Sequence, residues 1–273
     1  MAELIIEQGR TEKNYWADLW RFRELFYFLA WRDILVRYKQ TVVGVAWAVV
    51  RPFLTMLIFT IIFSRVAKLP SVGSAPYAIL VMAGMLPWQF ISGSVSASSD
   101  SLVGSSNLIS KIYFPRLIIP SSSIVTSFVD FLISLVLMAA MMAWFRFAPD
   151  WRLLFLPLFI LLSIACSFGI GLWLSALMVE YRDVRHIVPF IVQFGMYVSP
   201  VGFSSNVVPE KWRLLYSLNP VVGIIDGFRW SLMRGQMNLR APAVLLSMAV
   251  TSLFISGGIW YFRKTEKTFA DVI

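Results

Sequence analysis

Few of the 273 residues carry side chains suited to bond chemistry, and none stands in a pattern that a reaction needs. The single histidine, His186, lies in the charged stretch Glu180-Tyr-Arg-Asp-Val-Arg-His, the setting of a solvated loop residue. The single cysteine, Cys166, sits inside an apolar run, so no intrachain disulfide can form and no metal cluster is expected. No acid pair, nucleophile elbow or metal-ligand spacing occurs. The pattern Gly-x-x-x-x-Gly-Lys-Ser/Thr is absent, as is the dipeptide Gly-Lys, so the chain has no phosphate-binding loop of that kind. An enzyme is therefore not expected.

What remains is charge in apolar surroundings. Arg51 and Asp130 fall within apolar runs, and Asp100 falls near the end of one. Arg51 is nine residues past Val42, roughly 14 Å along a helix. Asp130, counted from Ser121 on the same side, reaches a similar depth. An unpaired charge there costs about 2.5–3.5 kcal/mol or more, so an Arg51–Asp130 ion pair is expected. A water-filled pore and snorkelling to the interface are the alternatives. A proton- or sodium-driven carrier would show more ionisable groups at this depth, and no inverted repeat is visible.

The elements that position these residues must be membrane helices. The chain is 58% hydrophobic and 14% charged, with a mean hydropathy of +0.73, which excludes a soluble domain. A net charge of +9 then points to basic cytoplasmic flanks and anionic lipid rather than to nucleic acid. Seven Lys/Arg and no long apolar core in the first 41 residues argue against a cleaved signal peptide.

Six runs are long enough to span, giving an all-α fold: residues 42–64, 77–99, 117–144, 153–179, 187–203 and 243–262. The fifth is close to the lower limit. The second ends in small residues, Ile91-Ser-Gly-Ser-Val-Ser-Ala-Ser-Ser, which let helices approach closely. With both termini inside, cytoplasmic segments hold 14 Lys/Arg against 9 outside, which sets that orientation. Residues 1–17 are polar and expected to be loosely ordered. Leu19, Phe22, Leu25, Phe26 and Leu29 then share a helical face that breaks at Asp33. This reads as an amphipathic helix in the cytoplasmic interface, or as a helix packed on a partner. Residues 204–242 are too short and too polar to cross, and read as a re-entrant or interfacial hairpin on the outer side. The chain thus divides into a cytoplasmic segment with the interface helix (1–41), a six-span domain (42–262) and a cytoplasmic tail (263–273).

Between the second and third spans lies Ser105-Ser-Asn-Leu-Ile-Ser-Lys-Ile-Tyr-Phe-Pro-Arg. Asn107 can cap a short helix over residues 108–114, which Pro115 ends. On the basic side of the membrane, with Lys111 and Arg116, this suits either a contact with a cytoplasmic partner or an ordinary connecting loop.

Several stretches resemble the membrane subunits of ABC-2-type exporters, specifically the polysaccharide and O-antigen permeases. They are Arg37-Tyr-Lys-Gln-Thr-Val-Val-Gly-Val-Ala-Trp, Asn107-Leu-Ile-Ser-Lys-Ile-Tyr-Phe-Pro-Arg, Tyr197-Val-Ser-Pro-Val, Leu218-Asn-Pro and Phe269-Ala-Asp-Val-Ile. The likeness runs from about residue 25 to the end, in order. Arg51-Pro52 departs from it, standing where an uncharged polar residue is expected before the proline.

The resemblance implies a homodimer bound to two copies of a separate cytoplasmic ATPase, which would carry ATP and Mg; no cofactor is expected on this chain. It implies transport of a lipid-linked polysaccharide through the bacterial inner membrane, and a coupling helix formed by Asn107, Leu108, Ile109, Lys111, Ile112, Phe114 and Arg116. Export of another amphiphile (a drug, a lipid, a teichoic-type polymer) and a non-transporting scaffold are the other readings. Phe190, Phe194 and Tyr197 share one helical face, and Phe59 and Phe63 stand four apart. Rings pack on the flat C–H faces of sugars and let them slide, so these five are the candidate substrate channel. Packing and lipid contact would suit them equally.

Overall fold

Peptide groups in hydrocarbon have no water to bond, and a long apolar run satisfies them by coiling on itself. The computed structural model describes residues 15–39, 44–69, 71, 73–237 and 239–269, and among these every regular element is helical. The helices are α1 (Tyr15–Arg21), α2 (Arg23–Lys39), α3 (Gly44–Thr60), α4 (Tyr77–Gly104), α5 (Ser106–Ile109), α6 (Ile118–Trp144), α7 (Leu156–Glu180), α8 (Val184–Val198), α9 (Glu210–Tyr216), α10 (Pro220–Leu232) and α11 (Ala241–Thr265). A π-helical turn, Ile61–Val66, continues α3, and a 3₁₀ turn, Trp151–Phe155, leads into α7.

Among the described residues, five segments are long and apolar enough to cross a membrane: Ala46–Val66, Tyr77–Gly104, Ile118–Trp144, Trp151–Glu180 and Ala241–Thr268. The expected fifth span, 187–203, is helical only to Val198. Its helix α8 has 15 residues, about 22 Å at 1.5 Å per residue, against a hydrocarbon core of about 30 Å. The cause is Pro200, which biases Ser199 away from helical angles; Ser199 sits at φ −93°, ψ 151°.

α4 is the axis of the molecule. Its apolar window is 72% buried, against 11% for Ala46–Val66, because α3, α6, α7, α8 and α10 all pack on it. Ser98 on α4 donates to the Pro120 carbonyl of α6 at 3.1 Å, so the small residues there do bring helices close. α7 and α11 cross still more tightly. A Cβ on Gly258 would stand 2.3 Å from the Gly169 carbonyl oxygen, which only glycine permits.

The non-helical residues after α8 are buried, so their carbonyls need donors. Arg229 supplies them. This fully buried guanidinium donates to the carbonyls of Val201 (2.8 Å), Phe203 (2.7 Å) and Leu80 (3.1 Å). Tyr77 donates to Gly202 O at 2.9 Å, and Asn219, which caps α10 through Val221 N, donates to Ser199 Oγ. α10 is consequently a core helix packed on α4, α7 and α11 rather than a surface loop.

At the other end, the predicted stripe of α1 and α2 is present. Leu29 is buried, while Leu19, Phe22, Leu25 and Phe26 are partly covered by the chain's own core. Helix α2 runs past Asp33 to Lys39, and Tyr15, expected in a loose segment, is buried. The opposite face exposes Trp16, Trp20, Tyr27, Phe28 and Trp31.

Candidate functional site

Two features stand where chemistry or contact can occur: the loop after α4, and a cavity beside α3.

The loop folds differently from its sequence expectation. Only Ser106–Ile109 is helical, with Asn107 inside the helix and no side-chain cap. The chain then turns, and the rest of the loop is shaped by packing. Ile109 and Phe114 are 5% and 3% exposed, inside a cluster with Leu102, Leu117, Val179, Phe262 and Phe269. Phe262 and Phe269 meet edge to face at 5.4 Å, bringing the C-terminal segment under the loop. Arg116 is held there too. Its amide donates to the Glu266 carboxylate at 2.8 Å, and its guanidinium donates to the Glu266 carbonyl. Arg263 lies 4.7 Å over the Tyr15 ring, joining α11 to α1.

Of the seven residues assigned to a coupling helix, Ile109, Phe114 and Arg116 are therefore engaged within the chain, and Leu108 is half-buried. Asn107, Lys111 and Ile112 are exposed, as is Tyr113, which the sequence reading passed over. The outward ridge is Lys111-Ile112-Tyr113. Residues 270–273, the end of the Phe269 motif, lie outside the described residues, as do residues 40–43 at the start of the first span.

The cavity, of about 740 Å³, is bounded by α2, α3, α4, α6 and α8. Asp130 of α6 lines it, and its carboxylate is held by Arg37 at 2.6 Å and by the Tyr38 hydroxyl, which donates to it. Burial, reinforced by that bond, keeps the Tyr38 phenol above its usual range. This corrects the expected pairing. Arg37 reaches Asp130 because α2 packs across α6, while Arg51 lines the same cavity and forms no ion pair among the described residues. Lining side chains with opposite charges thus cancel at Arg37 and Asp130 and leave Arg51 as surplus positive charge. Gln89, Gln193 and several serines supply hydrogen-bonding groups, and Trp47, Trp88 and Phe90 supply flat apolar surface.

The candidate channel rings divide. Phe59 lines the cavity, whereas Phe63 packs on Phe203 at 6.3 Å between centroids. Phe190 and Phe194 stack at 6.0 Å and, with Tyr197, are exposed by 66%, 58% and 66%. They do not line the cavity. From α8 it takes Pro189, Val192, Gln193 and Met196, a face roughly 100° round the helix. The structure thus presents two surfaces beside each other, a cavity of mixed polar and apolar lining and an open aromatic stripe. The sequence missed Arg229, whose spacing of three from Asp226 inside an apolar stretch was its one signal.

Known proteins resemble this chain along most of its length. It is 26% identical to the O-antigen export system permease protein RfbA of Klebsiella pneumoniae over 243 residues, covering 89% of this chain and 92% of that protein. It is 27% identical to the protein of the same name from Myxococcus xanthus over 259 residues, covering 94% and 98%. The polysialic acid transport protein KpsM of Escherichia coli is 22% identical over 246 residues, covering 86% and 91%. Residues 24–233 match the family of ABC-2 type transporter membrane proteins. With that match spanning the interface segment, the central helices and α10, the chain belongs to the ABC-2 membrane family.

Proposed function

We propose that the chain is the transmembrane subunit of an ATP-driven exporter that moves a lipid-linked polysaccharide, of O-antigen or capsule type, across the bacterial cytoplasmic membrane. The observation that carries the reading is the near full-length likeness to permeases named for O-antigen export and polysialic acid transport. Two chains would pair and bind two copies of a cytoplasmic ATPase, with both termini on the cytoplasmic side. In this arrangement α8, extended by residues 199–204, is the fifth of six crossings and α11 the sixth, and α9 and α10 form the re-entrant hairpin on the outer side. Irregular backbone at membrane depth is tolerated where protein surrounds it, as Arg229 and Asn219 do here.

Work would enter through the ridge Lys111-Ile112-Tyr113, whose footing on Glu266 and Phe269 passes a push at the loop to α4, α6 and α11 together. The exposed rings of α8 and the apolar face of α3 are the surfaces that a second copy would bring opposite one another, enclosing a path of many weak contacts for a sliding sugar chain. An exporter for another amphiphile is the competing reading. Deleting the gene in its own bacterium decides between them. Loss of surface polysaccharide, with polymer accumulating inside and export restored by the cloned gene, supports the proposal. Unchanged surface polysaccharide contradicts it.

A further inference from the structure

A second cavity, of about 760 Å³, opens at the far end of the molecule from Arg116, between the last turns of α6 and the first of α7. Its volume falls within the range of ligand pockets, roughly 300–1,000 Å³. Met138, Ala139 and Ala143 of α6 face Leu153 of the 3₁₀ turn and Pro157 and Ile160 of α7 across it, and Leu232 of α10 closes its back. Apart from Arg146 every lining residue among those described is apolar. Small side chains at Ala139 and Ala143 leave the groove open. The flanking surface is also apolar: Val136, Leu154 and Leu161 are exposed on helices that cross a membrane, so the groove opens on lipid.

Its rim carries positive charge without matching negative charge. Arg152 pairs with Asp150 at 2.8 Å, but Arg146 and Arg234 have no carboxylate partner among the described residues. Arg234 stands 4.6 Å over the Phe147 ring, and Phe147 itself lines the groove. Both arginines adopt positive φ, 52° and 56°, within the two turns that border the opening. A long apolar slot ending in two unneutralised guanidinium groups at the membrane surface fits an amphiphile with a hydrocarbon tail and an anionic head.

We infer that this groove is a binding site for an anionic phospholipid, one acyl chain lying between α6 and α7 and its phosphate at Arg146 and Arg234. A chain in the groove would press on Leu232 and so brace the hairpin that carries Arg229. The site stands apart from the polysaccharide reading and depends only on the chain's being a membrane protein.

The test is native mass spectrometry of the full-length chain, purified from membranes and titrated with phosphatidylglycerol or phosphatidylcholine. Two guanidinium groups near a surface give a preference for the anionic lipid of roughly tenfold or more. Arg146→Gln, at an exposed position, should lower that preference several-fold while a lipid remains bound. Ala139→Phe, which fills the groove, should remove the retained lipid altogether. Equal retention of the two lipids by the wild type, or retention of phosphatidylglycerol at the wild-type level by Ala139→Phe, overturns the inference. Should Ala139→Phe not fold, an Arg146→Gln preference equal to the wild type's overturns it as well.

Discussion

The amide of Arg116 donates to the carboxylate of Glu266 at 2.8 Å, across 150 residues of chain. This bond, with the guanidinium returned to the Glu266 carbonyl, ties the end of the loop after α4 to the segment that follows the last helix. The exposed ridge Lys111-Ile112-Tyr113 is therefore held from behind by the tail.

Glu266→Ala removes that acceptor. Losing one charge-assisted hydrogen bond at a half-buried site costs about 1.5–3 kcal/mol, so the protein should still insert and fold. Co-purification of the ATPase should weaken because the ridge loses its footing. Thermal unfolding of the purified chain, run beside the pull-down, separates the two effects.

Ile112→Asp and Ile109→Asp make a contrasting pair. Ile112 is 56% exposed, so its substitution should move stability by no more than about 0.5 kcal/mol while reducing ATPase capture. Ile109 is buried, and a charge there should cost about 3 kcal/mol or more and lower expression. Equal melting temperatures for the two variants would refute the assignment of faces.

Arg229→Met leaves the carbonyls of Leu80, Val201 and Phe203 without their donor and Asp226 without its neighbouring cation. Breaking such a buried arrangement costs about 3–5 kcal/mol. Arg229→Lys should recover only part of it, since an ammonium cannot hold three divergent carbonyls in one plane as the guanidinium fork does. Melting temperatures in one detergent should rank wild type, Lys, then Met.

Arg37 and Asp130 should behave as a pair. Reversing both, Arg37→Asp with Asp130→Arg, should recover more export than either single change. Reversing Arg51 with Asp130 should recover none, because Arg51 has no part in that contact. Complementation of a deletion strain reads all five genotypes.

Much of this arrangement was legible in the sequence, and what was not has physical reasons. The apolar runs located α4, α6, α7 and α11 to within a few residues, because a run of that length in hydrocarbon has no alternative to a helix. The need for a partner at Asp130 was also legible, but its identity was not. Depth along a span does not reveal that α2 lies across α6. Ile109 and Phe114 read as surface because nothing local shows Phe269 returning beneath them. Arg229 reads as one of the charges that make 204–242 too polar to cross, since nothing local shows the buried carbonyls of Leu80, Val201 and Phe203 that need it. The early end of α8 was written in Ser199-Pro200 and outweighed by the apolar residues around it.

Export driven by a separate ATPase is tested most directly in sealed vesicles holding the chain and the ATPase. The measurement is ATP-dependent transfer of labelled lipid-linked polysaccharide into the lumen, with hydrolysis followed in parallel. Transfer should require ATP and both proteins, and the polymer should stimulate hydrolysis. Phe194→Ala and Tyr197→Ala, at exposed positions of α8, should keep basal hydrolysis and assembly while losing most of the stimulation and transfer. Transfer that persists without ATP or without this chain, or polymer that leaves hydrolysis unchanged in the wild type, would contradict the proposal.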